Sequence, residues 1–150
     1  MAEKKVECII KLQVPAGAAK PGSDIGTALG PRGVNMVEFC KQFNERSKNE
    51  KSGCIVPVVM QVYKDKSFTF IVKSPPTAVQ IKDVCRLDKG SSEPNKTKVA
   101  TLTKAQLETI AKSKIVDMTA SSLQQAKKSV AGTARSMGVQ IEAGALKEDA

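Results

Sequence analysis

The 150-residue sequence predicts two small domains in series: a mixed α+β unit of order β-loop-α-β-β, then an all-α unit of three helices. Three observations carry this reading. The apolar period is two near the N-terminus and close to 3.6 in the second half. Ser74-Pro75-Pro76 interrupts the chain near its middle, and consecutive prolines fit neither a helix interior nor a central strand. All the aromatics (Phe39, Phe43, Tyr63, Phe68, Phe70) precede residue 72, so the two halves need differently built cores.

The elements follow in order. Val6, Cys8, Ile10, Leu12 and Val14 alternate with mostly polar neighbours, as in a half-buried strand. Pro15 to Gly33 holds too many glycines and prolines for regular structure and reads as a loop. Asn35 with Glu38 resembles a capping box, opening a helix to about Asn49 with Val37, Cys40 and Phe43 on its apolar face. Ile55 to Tyr63 is a β-branched strand, and Pro57 near its start suggests a sheet edge. After a Lys64–Ser67 turn, Phe68 to Lys73 returns as its hairpin partner. The first domain thus spans 1–72 and a stiff Pro-Pro linker 73–76. In the second domain, 77–142, Thr77 is placed to cap a helix through Cys85, and 87–101 is a long polar loop. Thr103 and Gln106 form a capping box for a second helix to about Met118. Thr119 or Ser121 caps a third, with Leu123, Ala126, Val130, Ala134 and Met137 as its stripe. Gly138 stops that helix, Val139 to Glu142 has the makings of a short strand, and 143–150 is a frayed tail.

Composition narrows the chemistry. With 41% apolar and 26% charged residues the chain can fold without disulfide staples. No apolar run reaches the roughly 20 residues that span a bilayer, and the start lacks a signal-peptide core, so an intracellular soluble protein is expected. The absence of His removes imidazole bases, catalytic triads and imidazole metal ligands. Cys8, Cys40, Cys54 and Cys85 are too scattered for a zinc site and read as buried or half-exposed thiols, so no metal or cofactor is expected. A net charge of +9 points toward polyanions. Residues 1–72 carry 11 Lys+Arg against 7 Asp+Glu, and 73–142 carry 12 against 6, so the helical half is the more basic.

Two segments invite functional readings. Gly17 to Gly22 has P-loop spacing, but Ser23-Asp24 stands where Lys-Ser/Thr is required, and Asp24 would repel phosphate. The loop is then either a stretch needing glycine conformations or a contact surface on a rigid scaffold. On the third helix, Lys127, Lys128, Gly132, Arg135 and Ser136 fall to the flanks or far side. Gly132 sits mid-helix, which allows either close helix packing or close approach of a nucleic-acid backbone, with Thr133 and Ser136 as hydroxyl donors. Without aromatics this half cannot stack bases, so it would read shape, phosphates and 2′-hydroxyls. Three helices with a basic third are homeodomain-like, yet this third helix lacks a dense Arg/Asn/Gln reading face.

These residues bring the chain into register with a known family. It resembles the bacterial-type L-eleven family of large-subunit ribosomal proteins from about Val6 to Ile141. The resemblance rests on residues 33–41 (GVNMVEFCK), 67–70 (SFTF), 74–76 (SPP), 94–99 (PNKTKV) and the run from Lys128 through Gly132-Thr133, Ser136-Met137-Gly138 to Ile141. It implies that the second domain grips a folded rRNA segment through Gly90, Ser91, Pro94, Asn95, Lys96 and Lys98 of the loop. The third helix would add Lys128, Gly132, Thr133, Arg135, Ser136, Met137 and Gly138. It also implies that the first domain stays mobile at the stalk base of the GTPase-associated centre, meeting the stalk-base protein and translational GTPases through Pro21, Gly22, Asp24, Gly26, Thr27, Gly30 and Arg32. Three of the four prolines usual in that loop are replaced here, which implies a more mobile loop and weaker binding of thiopeptide antibiotics; Arg32 would supply a compensating phosphate contact. Lys5 and Lys41 align with positions that are trimethylated in some members.

The leading expectation is therefore a non-enzymatic rRNA-binding protein of a cytoplasmic or organellar ribosome, with no cofactor, membrane or small-molecule substrate. A homeodomain-like DNA-binding regulator is the alternative. A small enzyme with a Gly-rich lid finds no base–nucleophile pair in the sequence.

Overall fold

The structure, a computed structural model, describes residues 5–146; the expectations for the first four residues and for 147–150 lie outside it. The chain forms two compact units that meet between Pro75 and Pro76.

The first unit is a three-stranded antiparallel sheet, ordered β1 (Val6–Pro15), β2 (Ile55–Tyr63), β3 (Phe68–Val72). Cys8, Ile10, Leu12 and Val14 point inward as their alternation requires, and Ile9 and Ile71 face outward. Helix α2 (Met36–Arg46) covers the inner face and buries Phe39, Cys40 and Phe43, with Phe39 edge-on to Phe70 at 5.4 Å. Val37, expected on that stripe, is exposed, and Phe39 takes its place. The Asn35 side chain caps α2 by accepting from Val37 and Glu38; the Glu38 carboxylate accepts from Gln42 instead of closing a capping box.

Two expectations for this unit are corrected. β2 is central rather than an edge. Pro57 is tolerated because the amide and carbonyl of a strand residue face the same neighbour, and its carbonyl accepts from Lys73, just past the end of the β2–β3 ladder. The segment 15–33 is also not irregular throughout. It contains helix α1 (Ser23–Leu29) and a 3-10 turn (Gly30–Arg32), held because Ile25 and Leu29, one turn apart, are both buried. Upstream, the buried Ser47 hydroxyl accepts from Gly17, and Asn44 bonds both the amide and carbonyl of Ala19, so this stretch satisfies its backbone on α2.

The second unit is helical, with α3 (Thr77–Cys85), α4 (Lys104–Lys114), which continues into a 3-10 turn (Ile115–Asp117), and α5 (Leu123–Ser136). Ile81, Leu107, Ile110, Ala126, Val130 and Ala134 form its aromatic-free core. The Thr103–Gln106 capping box is present in both directions. Ser122, rather than Thr119 or Ser121, caps α5. The unit is not all-α: β4 (Ala100–Leu102) pairs in parallel with β5 (Val139–Ile141) and buries Leu102 and Val139. Nor is residue 143 the start of a loose tail, since Ala145 folds back by a turn onto Glu142 and is buried in this core.

Candidate nucleic-acid interface

Helix α5 divides its residues between two faces. Ala126, Val130, Ala131 and Ala134 go inward, where small side chains let the helix lie close to its neighbours. Gln125, Lys128, Ser129, Gly132, Arg135 and Ser136 form one exposed stripe at three- and four-residue spacing. Lys127, expected on the flank, is instead only 4% exposed and donates to Glu108 of α4 at 2.6 Å. That hydrogen bond holds the Glu108 carboxyl below its ordinary pKa, and the charges of Lys127, Lys112 and Lys104 add to the effect. The pair pins α4 to α5 from the side away from the stripe.

Gly132 decides between the two readings of a mid-helix glycine. A Cβ built there meets nothing within 4 Å, so no neighbouring helix requires its absence. It opens instead onto a groove of about 580 Å³, with Lys98, Lys128 and Arg135 as its cations and Ala131, Val139, Ile141 and Leu146 as its apolar floor. The hydroxyls beside it are oriented differently from expectation. Thr133 donates to the Ser129 carbonyl and Ser136 to the Thr133 carbonyl, so each turns acceptor lone pairs outward rather than a free proton.

The loop before β4 is joined to the end of this helix. Ser91 N–H donates to the Met137 carbonyl at 2.9 Å, and Val99 N–H to the Gly138 carbonyl at 3.0 Å. Gly138 has φ 77, and a Cβ there would lie 2.5 Å from Ser91 Cβ and 3.0 Å from the Thr97 carbonyl. Gly90 packs against Met137, where an added Cβ would meet its carbonyl at 3.4 Å. Gly138 is buried and Met137 half-buried, so both build the junction from within. The loop closes on itself through Lys96 and Thr97 amides on the Glu93 carbonyl and Lys98 Nζ on the Pro94 carbonyl. The Lys96–Glu93 ion pair is well exposed at both ends and adds little. Asn95, Lys96 and Lys98 are exposed, and Ser91 and Pro94 partly so.

In the first unit, Pro21, Gly22, Asp24, Thr27, Gly30 and Arg32 are exposed around α1, and Gly26 faces Met36, where a Cβ would sit 3.7 Å from the sulfur. Lys5 and Lys41 are exposed. Cys8, Cys40, Cys54 and Cys85 form no disulfides among the described residues, and burial pushes Cys40 and Cys85 above the ordinary thiol pKa. Sequence reasoning missed β4, α1 and the buried Lys127; only the Ile25/Leu29 spacing offered a signal, for α1.

Comparison with known proteins supplies the context. The family model described as Ribosomal protein L11, N-terminal domain, matches residues 10–68, and that described as Ribosomal protein L11, RNA binding domain, matches 73–141. The Large ribosomal subunit protein uL11 of Treponema denticola is 54% identical over 142 residues, which are 95% of this chain and 99% of that protein.

Proposed function

Because the chain belongs to the L11 family of large-subunit ribosomal proteins, we propose that its second unit is the anchor on folded large-subunit rRNA, at the GTPase-associated centre. The observation that carries this reading is the open groove at Gly132, flanked by Lys98, Lys128 and Arg135 and walled by the loop tied to Gly138. A cation on each side neutralises backbone phosphates, and the missing side chain lets a sugar–phosphate strand approach the helix closely. Thr133 and Ser136 accept from 2′-hydroxyls, which marks the strand as RNA. Gly90, Ser91, Pro94, Asn95, Lys96 and Lys98 complete the surface, with Met137 and Gly138 holding it in place.

On this reading the three helices form a homeodomain-like scaffold to which the β4–β5 pair is added. The role is structural, with no catalytic step and no cofactor. The first unit faces the stalk-base protein and translational GTPases through Pro21, Gly22, Asp24, Gly26, Thr27, Gly30 and Arg32. The anchoring of α1 by Ile25 and Leu29 supports this, since it fixes which residues are presented. Exposed Lys5 and Lys41 are open to methylation. The location is the ribosome, and among the described residues no helix is long and apolar enough to cross a membrane.

The test is binding of the full chain to the folded rRNA segment with Mg²⁺, against a shuffled-sequence RNA and duplex DNA. The expected result is selective binding to the folded RNA, weakened at least about tenfold (~1.4 kcal/mol) by Gly132→Leu with the fold intact. Equal affinity for the shuffled RNA would reduce the basic surface to generic charge, and preference for duplex DNA would favour the regulator.

A further inference from the structure

A turn after β5 brings one more side chain to the α5 groove. It starts at Glu142, one residue past the stretch 73–141 that matches the RNA-binding family model. Glu142 is fixed twice: its N–H donates to the Leu102 carbonyl at 3.0 Å, and its carboxylate accepts from the Lys104 N–H at 3.0 Å, at the start of α4. The Ala145 N–H then donates to the Glu142 carbonyl at 3.1 Å, and the Ala145 side chain is buried. Gly144, at the third position of this turn, has φ 89, a left-handed value that glycine or asparagine supplies there.

Burial of Ala145 anchors the residue that follows it. Leu146 is 39% exposed, and with Val139 and Ile141 it lines the groove that Gly132 opens, beside Lys98, Lys128 and Arg135. Cations alone attract any polyanion, and an exposed leucine adds nothing to that attraction. A sugar–phosphate strand, however, alternates charged phosphates with the C–H edges of its riboses. A groove that sets a pinned apolar side chain among cations matches both parts of that repeat.

We propose that Leu146 is a further RNA-contact residue of this groove, packing on a ribose edge of the bound strand, and that the 142–146 turn positions it. The proposal rests on the reading of the groove as the RNA anchor. Its contribution is burial of apolar surface, which rising salt does not screen, whereas the phosphate contacts of Lys98, Lys128 and Arg135 weaken as salt rises. The competing role is a purely internal one, in which Leu146 only covers Val139 and Ile141 and RNA never touches it.

The test is binding of the full chain to the folded rRNA segment with Mg²⁺, over a salt series. Leu146→Ser is expected to weaken binding about threefold to tenfold at every salt concentration and to leave the salt slope unchanged. Lys128→Gln, in contrast, is expected to lower that slope by about 0.7 to 0.9. Leu146→Met keeps the apolar surface and is expected to bind within about twofold of the native chain. Gly144→Val retains Leu146 but disfavours the turn, so its loss should match that of the serine variant, while Gly144→Asn suits the turn and should bind as the native chain does. Unchanged or tighter binding by Leu146→Ser, a changed salt slope in that variant, an equal loss with methionine, or native binding by Gly144→Val would overturn the proposal. Gly132→Leu in the same series separates the two readings. If it weakens binding and Leu146→Ser does not, this proposal alone fails; if neither does, the anchor reading fails with it.

Discussion

The two units solve the same packing problem with different materials. In the first, a helix lies across a sheet and large rings fill the gap, with Phe39 meeting Phe43 at 5.9 Å and Phe70 at 5.4 Å. In the second there is no ring at all, and alanines on α5 bring helices close enough for short aliphatic chains to fill the core. A wide sheet leaves a gap that aromatic volume fills well, whereas close-packed helices leave little. With its alanines turned inward, α5 leaves Gln125, Lys128, Ser129, Gly132, Arg135 and Ser136 exposed on its outer stripe. The contrast continues within α5 and its end. A Cβ on Gly132 would meet nothing within 4 Å, whereas Gly138 could not carry one without moving Ser91. One glycine is open to solvent and the other is required by the fold.

The largest expected effect tests the aromatic core. Phe39→Ala should cost about 3–5 kcal/mol, and chemical denaturation should show the loss confined to the first unit, with second-unit amides still protected. A comparable loss in both units would make the division of cores unimportant. Gly138→Ala should cost roughly 2–4 kcal/mol, from its left-handed backbone and the clash with Ser91. Hydrogen exchange should then quicken at Ser91 and Val99, whose amides bond across the junction.

A smaller loss is expected when the α4–α5 clasp is weakened. Glu108 is held below its unfolded pKa, so its contribution is fully present above about pH 4.3 and disappears as pH falls through the lowered folded value. The stability difference between the native chain and Glu108→Gln should therefore be constant near neutrality and vanish in acid. A difference that grew on acidification would mean that the carboxylate is not the stabilising species. The smallest effect has the opposite sign. Gly132→Ala should stabilise the free chain by about 0.5–1 kcal/mol yet weaken RNA binding. Tighter binding by that variant would mean that the open groove is not where RNA approaches.

Much of this was legible in the residues, and the exceptions share a cause. The alternation of Cys8, Ile10, Leu12 and Val14 and the Thr103–Gln106 capping box are local patterns, and both are found where they were expected. Helix α1 was hidden because its apolar signal is only Ile25 and Leu29 among glycines, too short a pattern to outweigh the breakers. β4 was hidden because three residues show no period and the partner strand is distant, Ala100 pairing with Val139. Lys127 was misplaced because a lysine is assigned to solvent unless its partner is known, and Glu108 lies 19 residues away.

The two units, strands β1, β2, β3 and β5, most helices, the excess of positive charge and the family resemblance can all be read from the residues alone, because period, breakers, charge and motif are properties of neighbouring residues. Which glycine is open and which is crowded, which lysine is buried, and that loop 86–99 closes onto the end of α5 come from packing between distant parts of the chain. Those are facts about distance between residues remote in the chain, and they are what turns a basic helix into a groove with walls.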